Sequence, residues 1–514
     1  MGVMDFNSVL FLKSDDRERA DQAEAPPFFR DLSLDQFVES ITAGKQSYNL
    51  RGFYYTLLRD IDAISYRHEV LKDLADRDAI QPINRFAQEI RRTYEHLEQS
   101  SKLTYKHQKQ AWFLEAVTIY CEAVPRLADA LLSSDLESRG LSRFRDYLLN
   151  YTESPGFGAL QSDTQQLKAD LATVEYCVLV DGDTCRVRKY ESEPDYSVEI
   201  EETFQKFKQG AAKDHRLQFS EWVQMNHVEA KIEELVSLLF PEIFARLDRY
   251  CASHANYLDQ TIVTFDREIQ FYVAYLDYTQ RLKQAGLKFC YPRVSSTSQE
   301  VSNYEGFDLV LASKLVAQDK PIVCNDFYLE GKERILVVSG PNQGGKTTFS
   351  RAFGQLHYLA AIGCFVPGSA ARLLLCDKLF THFEREERMQ NLRGKLQDDL
   401  VRARQILEAA TANSIIIMNE IFTSTTLRDA TFLSGKLIGR ISELRCPCVW
   451  VTFIEELASF DEHVVSMTSM VVPQDPSRRT FRVIRRAADG LSYALSIAEK
   501  YQLTYQQLKD FLRS

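Results

Sequence analysis

"ILVVSGPNQGGKTT", residues 335–348, runs from an apolar stretch straight into Gly340-Pro-Asn-Gln-Gly-Gly345-Lys346-Thr347, and an apolar-periodic segment follows. A buried strand, a tight glycine turn and a helix are expected in succession, which is the context in which G-x-x-x-x-G-K-[ST] binds phosphate. The chemistry needs these residue types. Glycines let backbone N–H groups converge on an anion, and the following helix presents its positive end. The lysine reaches the terminal phosphates and the threonine hydroxyl reaches magnesium. Gly344, Gly345, Lys346, Thr347 and Thr348 are the expected nucleotide contacts. A merely glycine-rich turn is the weaker reading.

A second apolar run, SIIIMNE at 414–420, delivers Asn419 and Glu420 to the carboxyl edge of the same sheet, where open α/β folds collect their ligands. Glu420 is the candidate catalytic carboxylate, able to orient or deprotonate an attacking water. Asn419 stands where a magnesium-dependent ATPase usually carries an aspartate. It can still hydrogen-bond a metal-bound water, but the lost negative charge weakens metal retention. ATP and magnesium are the expected cofactors, with Thr347 and, through water, Asn419 as the metal set. Slow turnover is the expectation.

After residue 295, short β-rich runs alternate with helical segments, which implies a parallel-rich sheet with helices on both faces. Residues 46–294 read as mainly helical: Leu57, Ile61 and Ile64 recur at helical spacing, and the pattern resumes at Val228, Ile232 and Val236 before a break at Pro241. Between them, at about 174–200, two short strands flank Asp181-Gly182, a hairpin signal. Residues 1–45 lack sustained periodicity and read as an N-terminal arm. The expected architecture is a P-loop α/β ATPase domain over 295–514, joined to a mainly α-helical lever or core region with a small β-hairpin insertion.

With 514 residues, 45% hydrophobic and 26% charged, the chain can bury several cores. Its net charge of −10 argues against coating nucleic acid non-specifically, so any DNA contact must come from a local patch. The ten cysteines include no C-x-x-C pair, and Cys446-Pro447-Cys448 is too tightly spaced for ordinary zinc ligation; reduced thiols are expected. No window approaches the ~18 apolar residues of a membrane span, and the first residues lack signal-peptide features, so a cytoplasmic protein without membrane contact is expected. His215 and His227 have no third ligand beside them. Arg478, Arg479, Arg482, Arg485 and Arg486 read as an edge strand whose cations bind a partner or block strand pairing.

With these residues in view, the chain resembles the MutS family of DNA mismatch repair ATPases. NDFYLEGKERILVVSGPNQGGKTTFSRAFGQLHYLAAIGCFVP looks like that family's phosphate-loop region, SIIIMNEIFTSTTLRDA is similar to its "MDEIGRGTSTYDG", and RRAADGLSYALSIAEKYQL resembles its C-terminal "GAADKSYGIHVAQLAGL". LLRDIDAISYRHEVLKDL and the helices before CYPRV look like its lever. The resemblance implies nucleotide contacts from Asn342, Gly345, Lys346 and Thr347, Glu420 as catalytic carboxylate, and Asp429 in the matching loop position. It also implies a homodimer with nucleotide near the subunit boundary, and DNA as partner.

Departures accompany the match. Asn419 replaces the metal-associated aspartate, and Phe453 stands where an "ATH" histidine would sit, where a core aromatic is expected since phenylalanine cannot hydrogen-bond phosphate. Arg393-Gly394-Lys395 replaces a serine-containing signature. Its cations either reach across a dimer interface, as an arginine finger does, or open a solvated helix. Only about 45 residues precede the lever-like helices, too few for mismatch-reading and connector domains of ~100 residues each. Phe37-Val38-Glu39 therefore spells the family's wedge by chance. Arg186, Arg188 and Lys189 on the hairpin are possible phosphate contacts, but Glu191, Glu193 and Asp195 follow, which favours an ordinary surface hairpin.

The expected function is that of a MutS-like ATP-binding protein, a slow ATPase. It would grip mismatched, distorted or branched DNA by backbone and shape, as a dimeric nucleotide-gated clamp in repair or recombination. The competing reading is a nucleotide-binding structural or regulatory module with little hydrolysis, acting on a protein or ribonucleoprotein partner.

Overall fold

A computed structural model describes residues 6–182, 184–192, 225–384, 394–472, 474–487, 504, 505 and 509. Two compact units divide the chain. The first comprises Met1–Phe6, Asp76–Leu136 and Ser142–Asp266, and the second Asn7–Ala75, Glu137–Leu141 and Arg267–Ser514.

The first unit is largely helical. Asp76 caps the helix Arg77–Lys102 by accepting from Asp78 N, and this helix pairs with Lys106–Ser133. Ile83, Phe86 and Ile90 on one, and Val117, Tyr120, Val124 and Leu127 on the other, recur at helical spacing and are buried. Strands Tyr176–Asp181 and Thr184–Lys189 form an antiparallel hairpin whose turn uses Gly182 at φ 61°. A reciprocal capping box between Asn226 and Glu229 opens the helix His227–Leu239, and Pro241 opens the next, Pro241–Ser253. His227 lies exposed on the first of these helices; His215, Glu193 and Asp195 fall outside the described residues.

The second unit is a mixed α/β structure with several sheets, consistent with a P-loop ATPase-like fold. Its six-stranded sheet runs, edge to edge, Leu379–Phe383, Ile415–Asn419, Cys448–Val451, Ile335–Ser339, Val464–Val472 and Asp475–Arg485. The first five strands are parallel and the last is antiparallel to its neighbour. Central strands are apolar on both faces because both faces are covered. Ile335, Val337, Ile416, Met418 and Trp450 pack with Ala403 and Ile406 of the helix Lys395–Ala409 and with Ile438 and Ile441 of the helix Leu427–Leu444. The helix Lys346–Ala361 covers the opposite face so closely that a Cβ on Gly354 would stand 2.7 Å from Ile417 Cδ1.

A further four-stranded sheet, ordered Arg293–Ser295, Ala370–Leu374, Val301–Gly306 and Asn325–Leu329, was not expected from the alternation. The first forty-odd residues also differ from an arm: Val9, Leu10, Phe11, Phe28, Phe29, Leu32 and Phe37 are buried, and two helices, Ser14–Asp21 and Leu34–Ile41, form there. Phe37 lies edge-on to Tyr54, Tyr275, Tyr278 and Tyr358. It is core and cannot serve as a wedge.

Arg67, on the helix Ile61–Asp73, is fully buried with its guanidinium over the rings of Phe11 and Phe271. It donates to Leu10 O at 3.0 Å and to Ile362 O at 2.8 Å, the latter closing the end of the helix Lys346–Ala361. The cysteines are free thiols, and burial pushes Cys446 up to about 12. Among the described residues no helix is long and apolar enough to cross a membrane.

Candidate functional site

The strand Ile335–Ser339 ends at the carboxyl edge of the sheet, and the segment 340–345 turns there into the helix Lys346–Ala361. Gly345 occupies the capping position at φ 95°, a left-handed conformation that costs glycine nothing, and no side chain caps the helix. The first-turn N–H groups are thus left for an anion. Gly344 has no room for a side chain, since a Cβ would stand 2.2 Å from Ser469 Oγ.

Lys346 is only 4% exposed. Its ammonium donates to Gly340 O at 3.0 Å, Pro341 O at 3.2 Å and Asn342 Oδ1 at 3.3 Å, and lies 3.6 Å from Glu420 Oε1. Burial lowers its pKa from the usual lysine range, Glu420 opposes that shift, and Arg479 adds to it. A buried cation whose partners are mostly neutral carbonyls is poised for an anionic ligand.

Glu420 follows the parallel strand Ile415–Asn419. Its backbone has φ 50°, and Phe422 has φ 60°, conformations that non-glycine residues adopt only under local constraint. The constraint is visible. Glu420 N donates to Val451 O at 2.9 Å, and Phe422 N to Asp399 Oδ2 at 3.4 Å, while the other Asp399 oxygen meets His382 Nε2 at 3.0 Å. His382 is fully buried; desolvation lowers its pKa and Asp399 works against that shift. Asn419 is 6% exposed and its Oδ1 has no hydrogen-bond partner among the described residues. A buried orphan oxygen beside an anion-type loop suits a hydrated cation.

Asn342, Gly344, Gly345, Lys346, Thr347, Thr348 and Glu420 share the lining of one cavity of about 810 Å³. Its lining also includes the apolar Leu315, Pro321, Ile322, Val323 and Phe481, beside the charged Asp308 and Lys320. Phe481 reaches it from the edge strand Asp475–Arg485, and Arg479 of the same strand donates to Asn342 O at 3.1 Å. Neither was expected at the site, because the arginine cluster reads as an edge strand and its register across the sheet is not written locally. The sheet does place that strand at the edge.

The remaining expected positions are distributed as follows. Phe453 is 47% exposed, so the expectation of a core aromatic fails. It lies two residues past the strand Cys448–Val451, beyond the covered part of the sheet. Asp429 sits in the first turn of the helix Leu427–Leu444 and not in the preceding loop, where its carboxylate accepts from the capping Thr426 hydroxyl at 2.8 Å. Lys395 opens its helix paired with Glu384, whose carboxyl it holds below the usual range. Arg393 and most of the C-terminal AADGLSY segment lie outside the described residues.

The family model for MutS domain V matches residues 336–510. The DNA mismatch repair protein MutS of Chlorobaculum tepidum is 27% identical over 272 residues, 52% of this chain and 30% of that protein. Those of Orientia tsutsugamushi (strain Boryong) and Rickettsia bellii (strain OSU 85-389) are 27% identical over 216 residues and 28% identical over 213 residues, 24% of each relative. The chain thus matches less than a third of these relatives' length. Through its C-terminal α/β region above all, the chain is a distant homologue of MutS family proteins.

Proposed function

We propose that the cavity binds ATP with magnesium and turns it over slowly. The observation that carries this reading is the convergence of Lys346, Thr347 and Glu420 on one cavity beneath an uncapped helix N-terminus. The loop N–H groups and Lys346 hold the phosphates, and Phe481 with Ile322 offers apolar faces to the base. Magnesium, when bound, would supply positive charge against the phosphate charge that develops on transfer. Thr347 and Asn419 are the side chains that would hold it. Glu420 orients the attacking water, and the neutral Asn419 keeps the rate low.

At the level of the whole protein, the distant homology supports a MutS-like clamp. As a dimer it would close on distorted or branched DNA according to nucleotide state, in repair or recombination. Hydrolysis would be measured with saturating MgATP, alongside binding to branched, mismatched and perfect duplexes across a salt series. Turnover coupled to a salt-sensitive preference for distorted DNA is expected. Equal weak binding to all three duplexes would remove the DNA part of the reading. The exposed Phe453 and neutral Asn419 favour the second reading, a nucleotide-gated module with little hydrolysis that acts on a protein or ribonucleoprotein. Nucleotide binding without turnover would select it.

A further inference from the structure

The two C-terminal strands of the six-stranded sheet do more than close its edge. Their pairing shifts register between Ser469 and Val471: Ser469 lies opposite Val483 while Val471 lies opposite Arg479. The residues between them on the edge strand form a bulge, with Phe481 at φ 57°. Asn325 straps the bulge, its Nδ2 donating to Phe481 O at 3.2 Å and its Oδ1 accepting from Val483 N at 2.7 Å.

Flanking that shift, one side chain from each strand meets the loop that precedes Lys346. Ser469, which is fully buried, donates its hydroxyl to Gly344 O at 2.6 Å, and Arg479 Nε donates to Asn342 O at 3.1 Å. In a trans peptide the carbonyl and the next N–H point in opposite directions. Fixing Asn342 O therefore fixes the Gln343 N–H, and fixing Gly344 O fixes the Gly345 N–H, each aimed away from the side chain that holds its carbonyl. Gln343 at φ 59° and Gly345 at φ 95° show the alternation of backbone direction this requires.

We propose that Ser469 and Arg479 are positioning residues for phosphate binding: from the hairpin they hold two loop carbonyls outward and so pre-orient the Gln343 and Gly345 N–H groups toward the phosphates. This rests on the nucleotide reading above. Pre-orientation matters because a loop that orders only on binding spends part of its affinity on ordering. Both residues lie far in sequence from the glycine-rich motif.

The test uses the full chain and the variants Ser469→Ala, Arg479→Met and the pair together. Amide hydrogen exchange at 343–346 is followed without nucleotide, and affinity is measured for MgATP and for adenosine, which has no phosphate. Faster exchange, with MgATP weakened about ten-fold per variant and adenosine unchanged, is expected. Ser469→Ala changes no charge, so its loss cannot come from a missing cation. A merely architectural role would lower the melting temperature or weaken both ligands together, and either result, or unchanged exchange, overturns the proposal. Native MgATP binding that survives in the double variant overturns it while leaving the nucleotide reading intact. A native chain that binds neither ligand sinks both.

Discussion

Lys346 and Glu420, 74 residues apart in sequence, face each other at 3.6 Å across the end of the sheet. The carboxylate balances the buried ammonium until an anionic ligand arrives, so the two residues carry separable roles. Lys346→Ala should weaken MgATP binding at least about ten-fold, whereas Glu420→Gln should retain binding and lose turnover. Titration with a fluorescent ATP analogue, paired with single-turnover hydrolysis, separates the two effects. Retained turnover in Glu420→Gln would remove Glu420 from the chemistry.

Asn419→Asp should move metal dependence and stability in opposite directions. A carboxylate there raises charge beside the metal, so half-maximal turnover should need several-fold less magnesium. Without metal the same carboxylate is nearly buried, and the fold should lose about 1–3 kcal/mol. Thermal unfolding with and without MgATP reads both signs. An unchanged magnesium requirement would place the metal elsewhere.

Asp399→Ala removes the acceptor shared by His382 and Phe422 N and leaves a buried imidazole with neither nitrogen satisfied among the described residues. A loss of about 1–3 kcal/mol in urea unfolding is expected. Because Phe422 N helps hold the left-handed turn at Glu420, turnover should fall more than MgATP affinity does. Equal loss of both would make Asp399 a packing residue only.

His357 sets an acid limit. It is fully buried, its Nδ1 lies 2.9 Å from Phe353 O, and burial lowers its pKa from 6.5 to about 4. The unfolded chain takes up this proton near pH 6.5 while the folded chain resists it. The stability contribution is therefore complete above that pH and lost as pH falls toward about 4, by about 3 kcal/mol at most. Urea midpoints between pH 7.5 and 4.5 should fall less steeply in His357→Leu than in the native chain. Parallel slopes would exclude this histidine.

Much of the α/β sheet and its cavity could be read from local sequence. Ile335–Ser339 and Ile415–Asn419 are short apolar runs ending at chemistry-bearing residues, and strand direction then carries those residues to one edge. What escaped reading depends on contacts distant in sequence. Phe481 reaches the cavity and Arg479 the Asn342 carbonyl from an edge strand whose register shifts, and no residue pattern announces that shift. Asp399 and His382 look like an ordinary helix carboxylate and strand histidine until the sheet places them behind Glu420. The N-terminal segment holds only two short helices, each of eight residues and too brief for sustained periodicity, yet Phe28 and Phe29 pack against Tyr358. Phe453 misled in the other direction, since an aromatic just past a buried strand ends up facing solvent.

The helix Lys346–Ala361 is pinned at both ends, by the glycine loop at its start and by Arg67 at Ile362 O beyond its finish. At about 1.5 Å per residue it behaves as a stiff strut some ~24 Å long. A buried guanidinium has no water to replace a lost carbonyl, so the far joint resists release. A tilt begun where phosphate sits would therefore be felt at Arg67 and at the helix Ile61–Asp73 that carries it, within the same unit.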